Sequence, residues 1–160
     1  MPLLDKPYYG ASLRVSFTRF WKKYVTFTGR ASRSEFWWWT LAWVVVSALL
    51  GTGALGAGPL AVLSGILHYA WLAATIVPFV ALTWRRLHDS NLKGWWALPF
   101  LIATVYMNAA TALGWETLAS RAHPMNPGTV VADLISAAVS IYFLVLVLRA
   151  SNPNGARFDV

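Results

Sequence analysis

From Phe36 to Trp84 the chain runs for 49 residues without one Asp, Glu, Lys or Arg. A water-soluble fold of this length has no use for such a run, because its surface helices and strands each need a polar face. As one α-helix the run would rise about 74 Å, more than twice the ~30 Å hydrocarbon thickness of a bilayer, so it must cross twice. The break falls in Gly51-Thr52-Gly53-Ala54-Leu55-Gly56-Ala57-Gly58-Pro59, whose four glycines and proline favour a turn over a continuous helix.

A third uncharged run, Gly94 to Trp115, covers 22 residues, and a fourth, roughly Val130–Leu148, is interrupted only by Asp133. Charged residues make up 12% of the chain, about half the ~25% of soluble domains, and hydrophobic residues reach 58%. The expectation is an all-α integral membrane fold forming one domain over residues 1–160. Its four transmembrane helices lie near 36–55, 60–84, 95–113 and 130–148. A soluble four-helix globule is excluded because Phe36–Leu50 and Leu134–Leu148 are apolar nearly all round.

Cations near span ends stay on the cytoplasmic side. Of the 13 Lys and Arg, seven precede the first span (Lys6, Arg14, Arg19, Lys22, Lys23, Arg30 and Arg33), Arg85, Arg86 and Lys93 join spans two and three, and Arg149 and Arg157 follow span four. Only Arg121 is left for the far face, so both termini are expected in the cytoplasm. Trp37, Trp38, Trp39, Trp84, Trp95 and Trp96 fall at the same inner boundary, where amphipathic rings anchor. Met1–Lys23 has no apolar core segment of the kind a cleaved signal needs, so the first span is expected to insert as an uncleaved anchor. The absence of cysteine excludes disulfides and thiolate metal sites.

Ahead of the first span, Leu13, Phe17, Phe20, Trp21, Tyr24, Val25 and Phe27 fall within an arc of about 160° on a helix, with Arg19, Lys22 and Lys23 opposite. This predicts a basic amphipathic interfacial helix over 12–28, ended by Gly29. It would lie flat on the cytoplasmic leaflet, each cation contributing ~1 kcal/mol against anionic lipid, or pack onto the spans instead. Ser32-Arg33-Ser34-Glu35 then reads as a capping box opening the first span.

Two segments carry a family resemblance. Gly29-Arg30-Ala31-Ser32-Arg33-Ser34-Glu35-Phe36-Trp37-Trp38 and Arg85-Arg86-Leu87-His88-Asp89-Ser90-Asn91-Leu92-Lys93-Gly94-Trp95-Trp96 are similar, without a gap, to the two signature segments of the domain of unknown function 805 family of bacterial inner-membrane proteins. The carboxyl end, Asn154-Gly155-Ala156-Arg157-Phe158-Asp159, echoes a third segment with different spacing and ending. The resemblance covers Phe20–Trp96, and Gly114–Gly128 reads as an insertion. It implies a multi-pass inner-membrane location and no known activity.

In this topology both segments meet the inner interface, so Arg30, Arg33, Glu35, Arg85, Arg86, His88 and Asp89 are expected to converge on one net-positive patch. Guanidinium groups bind phosphate bidentately, which makes the patch a candidate for anionic lipid headgroups, or for a membrane-protein partner. The alternative is topology signalling with ion pairs that tie the loops together. Deeper in the bilayer His68, Asn108 and Asp133 are expected to share a layer ~20 to 24 Å from the inner boundary, with mutual hydrogen bonds there, as interhelical glue or as a proton or solute pathway.

An enzyme is the weaker reading. No HExxH, GxSxG or Walker-type loop occurs, and topology separates His68, His88 and His123, so no metal site and no cofactor are expected. A His88/Asp89 acid–base pair acting on headgroups is the surviving catalytic possibility. Nucleic acid is excluded as a partner, since the basic residues hug the membrane boundaries. A second class, the protomer of a small oligomeric transporter or channel, would need close contacts through Gly51, Gly53 and Gly56 or Ala109, Ala110 and Ala112.

Overall fold

The computed structural model describes residues 6–54, 56–112 and 127–159, and among these there are helices and turns but no strand. The helices are α1 (Leu13–Lys22), α2 (Arg33–Ala54), α3 (Pro59–Asp89), α4 (Leu98–Ala112) and α5 (Pro127–Leu148), with short 3₁₀ turns at Gly94–Ala97 and Pro153–Phe158. Two compact units result, one of Met1–Gly94 with Ala150–Val160, the other of Trp95–Arg149.

Among the described residues three helices are long and apolar enough to cross a bilayer: Arg33–Gly53, Pro59–Asp89 and Val130–Leu148. The third expected span, 95–113, takes in the helix Leu98–Ala112, whose 15 described residues rise about 22 Å, and residue 113 lies outside the described ones. In the first unit the turn between α2 and α3 falls where the glycines stand. Gly58 takes φ 80°, the left-handed region that glycine enters without a Cβ clash, and Pro59 follows as the first helical residue.

Small residues and polar rungs join α2 to α3. A Cβ on Gly53 would meet the Ser64 Oγ at 2.3 Å, and Gly51 faces the His68 ring at ordinary contact distance. Both glycines face side chains of α3. Ser64 Oγ donates to the Leu50 carbonyl (2.7 Å), Trp71 Nε1 to Ser47 Oγ (3.1 Å) and Trp43 Nε1 to Thr75 Oγ1 (3.0 Å). Each such bond in a bilayer is worth ~0.6 kcal/mol. Leu49, Leu60, Val62 and Ile66 point outward and are exposed, the inverse of a soluble core and the arrangement that lipid tails cover.

Pro78 interrupts α3 from within. Lacking an N–H, it leaves the carbonyl four residues back without its helical partner. That carbonyl belongs to Ala74, and the Tyr24 hydroxyl donates to it at 2.8 Å. α1 stops at Lys22, short of the expected helix over 12–28, and Tyr24 lies just beyond its end. α1 packs on α2 through Phe20, stacked on Trp39 with 3.3 Å between centroids and 14° between planes. Trp39 is wholly buried, a core residue rather than an interfacial anchor, whereas Trp38, Trp95 and Trp96 are exposed.

The packing also turns α1 differently from the arc drawn on the sequence. Arg19 and Lys23, expected on the outward cationic side, are 3% and 1% exposed, while Leu13 and Phe17 face outward. Glu35 supplies the reason for Arg19: its carboxylate forms an ion pair with the Arg19 guanidinium inside the unit. In the second unit, Phe100 of α4 stacks on Phe143 of α5 (3.8 Å, 8°) and Tyr142 Oη donates to the Trp96 carbonyl.

Candidate functional site

The start of α2 and the end of α3 come together at one end of the hairpin, where the Ala31 N–H donates to the Arg85 carbonyl at 3.0 Å. The capping box forms as its residue types require: the Ser32 N–H donates to Glu35 Oε2 (2.8 Å) and the Glu35 N–H to Ser32 Oγ (3.2 Å). The other Glu35 oxygen holds Arg19. Arg85 is 1% exposed; its Nε donates to the Ala81 carbonyl, its Nη2 has no hydrogen-bond partner, and Glu35 and Arg19 both lie within electrostatic reach.

Asp89 is the centre of a second group. Its carboxylate receives Arg86 Nη1 (2.8 Å), the Tyr9 hydroxyl (2.9 Å) and the Ser151 hydroxyl, and both members of the Arg86–Asp89 pair are fully buried. Partial desolvation, then the Asp89 carboxylate that accepts its proton, raises the Tyr9 phenol above its ordinary value. His88 points the other way. Its Nδ1 lies 3.1 Å from the Gly29 carbonyl, which can only accept, so that nitrogen carries the proton.

The carboxyl-terminal segment closes over this end. The Phe158 ring lies on the His88 imidazole, 4.0 Å between centroids and 4° between planes. Gly29 N–H donates to the Phe158 carbonyl (2.9 Å), and Asn152 N–H to that of Asp89 (2.8 Å). Gly155 sits so close that a Cβ there would be 2.4 Å from the His88 carbonyl oxygen. Arg30 Nε and Nη2 donate to the two carboxylate oxygens of Asp159, at 2.9 and 2.6 Å. This hydrogen-bonded carboxylate raises Arg30 above its ordinary value.

Of the seven residues expected in the patch, the structure brings Arg30, Arg86, His88 and Asp89 together under the tail and sets Glu35 and Arg85 in the adjoining buried group. Arg33 is an exposed residue at the first turn of α2, its charge within electrostatic reach of Arg86. With Ser34, Trp37, Trp38 and Leu41 it lines an open trough of about 400 Å³ that is almost wholly apolar. Arg19, Tyr9, Ser151 and Asp159 were not among the expected site residues. The carboxyl-terminal Asn154…Asp159 segment was the one sequence signal that pointed to the last of them.

Of the three residues expected to share a layer, His68 lies against Gly51 and edge-on to Tyr69 (5.7 Å, 76°), with Nδ1 buried and without a hydrogen-bond partner. The side chains of Asn108 and Asp133 lie outside the described residues, as does His123. Among the described residues no three His, Asp or Glu side chains are grouped to hold a metal ion.

A pattern described as "Protein of unknown function (DUF805)" matches residues 24–160, which takes in both motifs and the closing tail. Over 81 residues the chain is 43% identical to "Inner membrane protein YhaI" of Escherichia coli (strain K12), a stretch that covers 51% of this chain and 66% of the relative, just under two thirds. Over 89 residues it is 38% identical to "Inner membrane protein YhaH" of the same strain, covering 51% of this chain and 68% of that one. No solved structure is a significant match. Together with its long apolar helices, these matches make the chain an inner-membrane protein that belongs to the DUF805 family of proteins of unknown function.

Proposed function

We propose that this protein is a four-span membrane module, both termini cytoplasmic, that holds an anionic phospholipid by its headgroup at the cytoplasmic boundary. The trough at Arg33 carries the reading. Arg33, an exposed residue, lines one trough with Trp37, Trp38 and Leu41, a cation beside apolar walls, the pairing that suits the phosphate and acyl chain of a phospholipid. Arg14 and Lys22 form an exposed basic stripe on α1 beside the exposed Leu13 and Phe17, which suits a helix lying in the same interface. The cation count on each side of the spans supports the orientation.

Native mass spectrometry of protein released from nanodiscs of mixed phosphatidylglycerol and phosphatidylcholine tests this. The wild type is expected to retain phosphatidylglycerol, and Arg33→Ala and Trp38→Ala to lose it. Unchanged retention in Arg33→Ala overturns the reading.

A further inference from the structure

We propose that Arg30 is a second, phosphate-class anion site, kept occupied by the chain's own Asp159 carboxylate and opened when that side chain swings away. The two parallel N–H···O bonds from Arg30 to Asp159 are the fork that a guanidinium offers equally to two oxygens of a phosphate. Unlike the Arg86–Asp89 pair, which is sealed at 0% exposure on both sides, Arg30 and Asp159 are 13% and 17% exposed. An anion can reach the one pair without unfolding anything and cannot reach the other.

The way the tail is fastened favours exchange. Its anchors lie upstream of the carboxylate: Asn152 on the Asp89 carbonyl, Gly155 against His88, and the Phe158 ring and carbonyl on His88 and Gly29. Rotation of one side chain therefore vacates Arg30 while the segment stays docked. Asp159 is the carboxylate paired with Arg30, so Arg30 loses that partner when the side chain leaves, and the incoming anion takes its place. The chemistry required is a tetrahedral oxyanion with two free oxygens, from a lipid headgroup or from a soluble phosphate. The lipid source rests on the function proposed above; the soluble one does not.

The test uses the full chain in nanodiscs, titrated calorimetrically with inorganic phosphate in phosphatidylcholine and assayed separately for retained phosphatidylglycerol. Asp159→Asn is expected to bind phosphate about tenfold more tightly than wild type, because the resident competitor has gone. Arg30→Gln is expected to abolish binding, and the double variant to match Arg30→Gln. No gain in Asp159→Asn, or an equal gain in the double variant, which would be a general charge effect, overturns the proposal. The wild type gives a reading that does not depend on folded variants: the Arg30 Nε–H resonance shifts with phosphate and not with chloride of equal ionic strength, and its failure to move also overturns the proposal. Lipid retention that needs Arg33 but ignores Arg30 and Asp159, with no phosphate binding, leaves the trough reading standing and ends this one. Phosphate binding that follows Arg30 and Asp159 with no lipid retained supports a soluble ligand here and ends the other.

Discussion

The hydroxyl of Tyr24 donates to the carbonyl of Ala74, the very group that Pro78 deprives of its helical N–H. A side chain from outside the spans thus completes the backbone of α3 at its one internal proline. In a bilayer such a carbonyl has no water to turn to.

Tyr24→Phe should therefore destabilise the protein in micelles by about 1 kcal/mol, and more if no water reaches Ala74. The pairing is tested by a cycle with Pro78→Ala, which returns an N–H to the Ala74 carbonyl. In the Pro78→Ala background the Tyr24→Phe cost should largely vanish. Equal costs in both backgrounds would show that Tyr24 acts by packing alone.

The Arg86–Asp89 pair is buried on both sides, so breaking it leaves a charge with nowhere to go. Asp89→Ala is expected to cost about 3–5 kcal/mol, enough to prevent accumulation of folded protein in many membrane proteins. Ser151→Ala removes only one of the three donors to that carboxylate and should cost about 1 kcal/mol. Thermal unfolding in detergent separates the two, and near-equal losses would refute the ranking.

These examples mark what could be read from the sequence. The capping box was legible because Ser32 and Glu35 act over three residues, and the α2–α3 turn because Gly58 and Pro59 announce it locally. Arg19 was misplaced: its angle on α1 sets it opposite the aromatic arc, and nothing in that periodicity shows that Glu35 waits on another helix. Trp39 looked like its neighbours Trp37 and Trp38 because a run of three tryptophans hides which one faces inward. The Arg30–Asp159 pair spans 129 positions. No local pattern encodes a contact of that separation, and only the echo of a third motif at the carboxyl end hinted that the tail takes part.

The Tyr9 phenol makes stability depend on pH at the alkaline end. Its folded value is raised above 10.0, by desolvation and by the Asp89 carboxylate. A group raised on folding contributes stability that is fully present below the unfolded value and is lost as pH climbs through the folded one. The stability advantage of wild type over Tyr9→Phe should hold constant up to about pH 9 and shrink above 10. A difference that grows with alkalinity would contradict the donor role assigned to Tyr9.

Gly155 offers a direct test of how the tail is held. A methyl at this position would stand 2.4 Å from a backbone oxygen, that of His88, which cannot rotate aside as a flexible side chain could. Gly155→Ala should therefore lift the 3₁₀ turn off the end of α3, at a cost of about 1–3 kcal/mol. The chain has no native cysteine, so a single one placed at Ala156 reports the change without background. Its modification by a water-soluble maleimide should be faster in the Gly155→Ala protein than in the parent. Phe158→Leu, which removes the stack on His88 but leaves the backbone seat intact, should accelerate labelling less. If Phe158→Leu instead frees the segment while Gly155→Ala does not, the ring stack and not the close backbone approach is what fastens the tail.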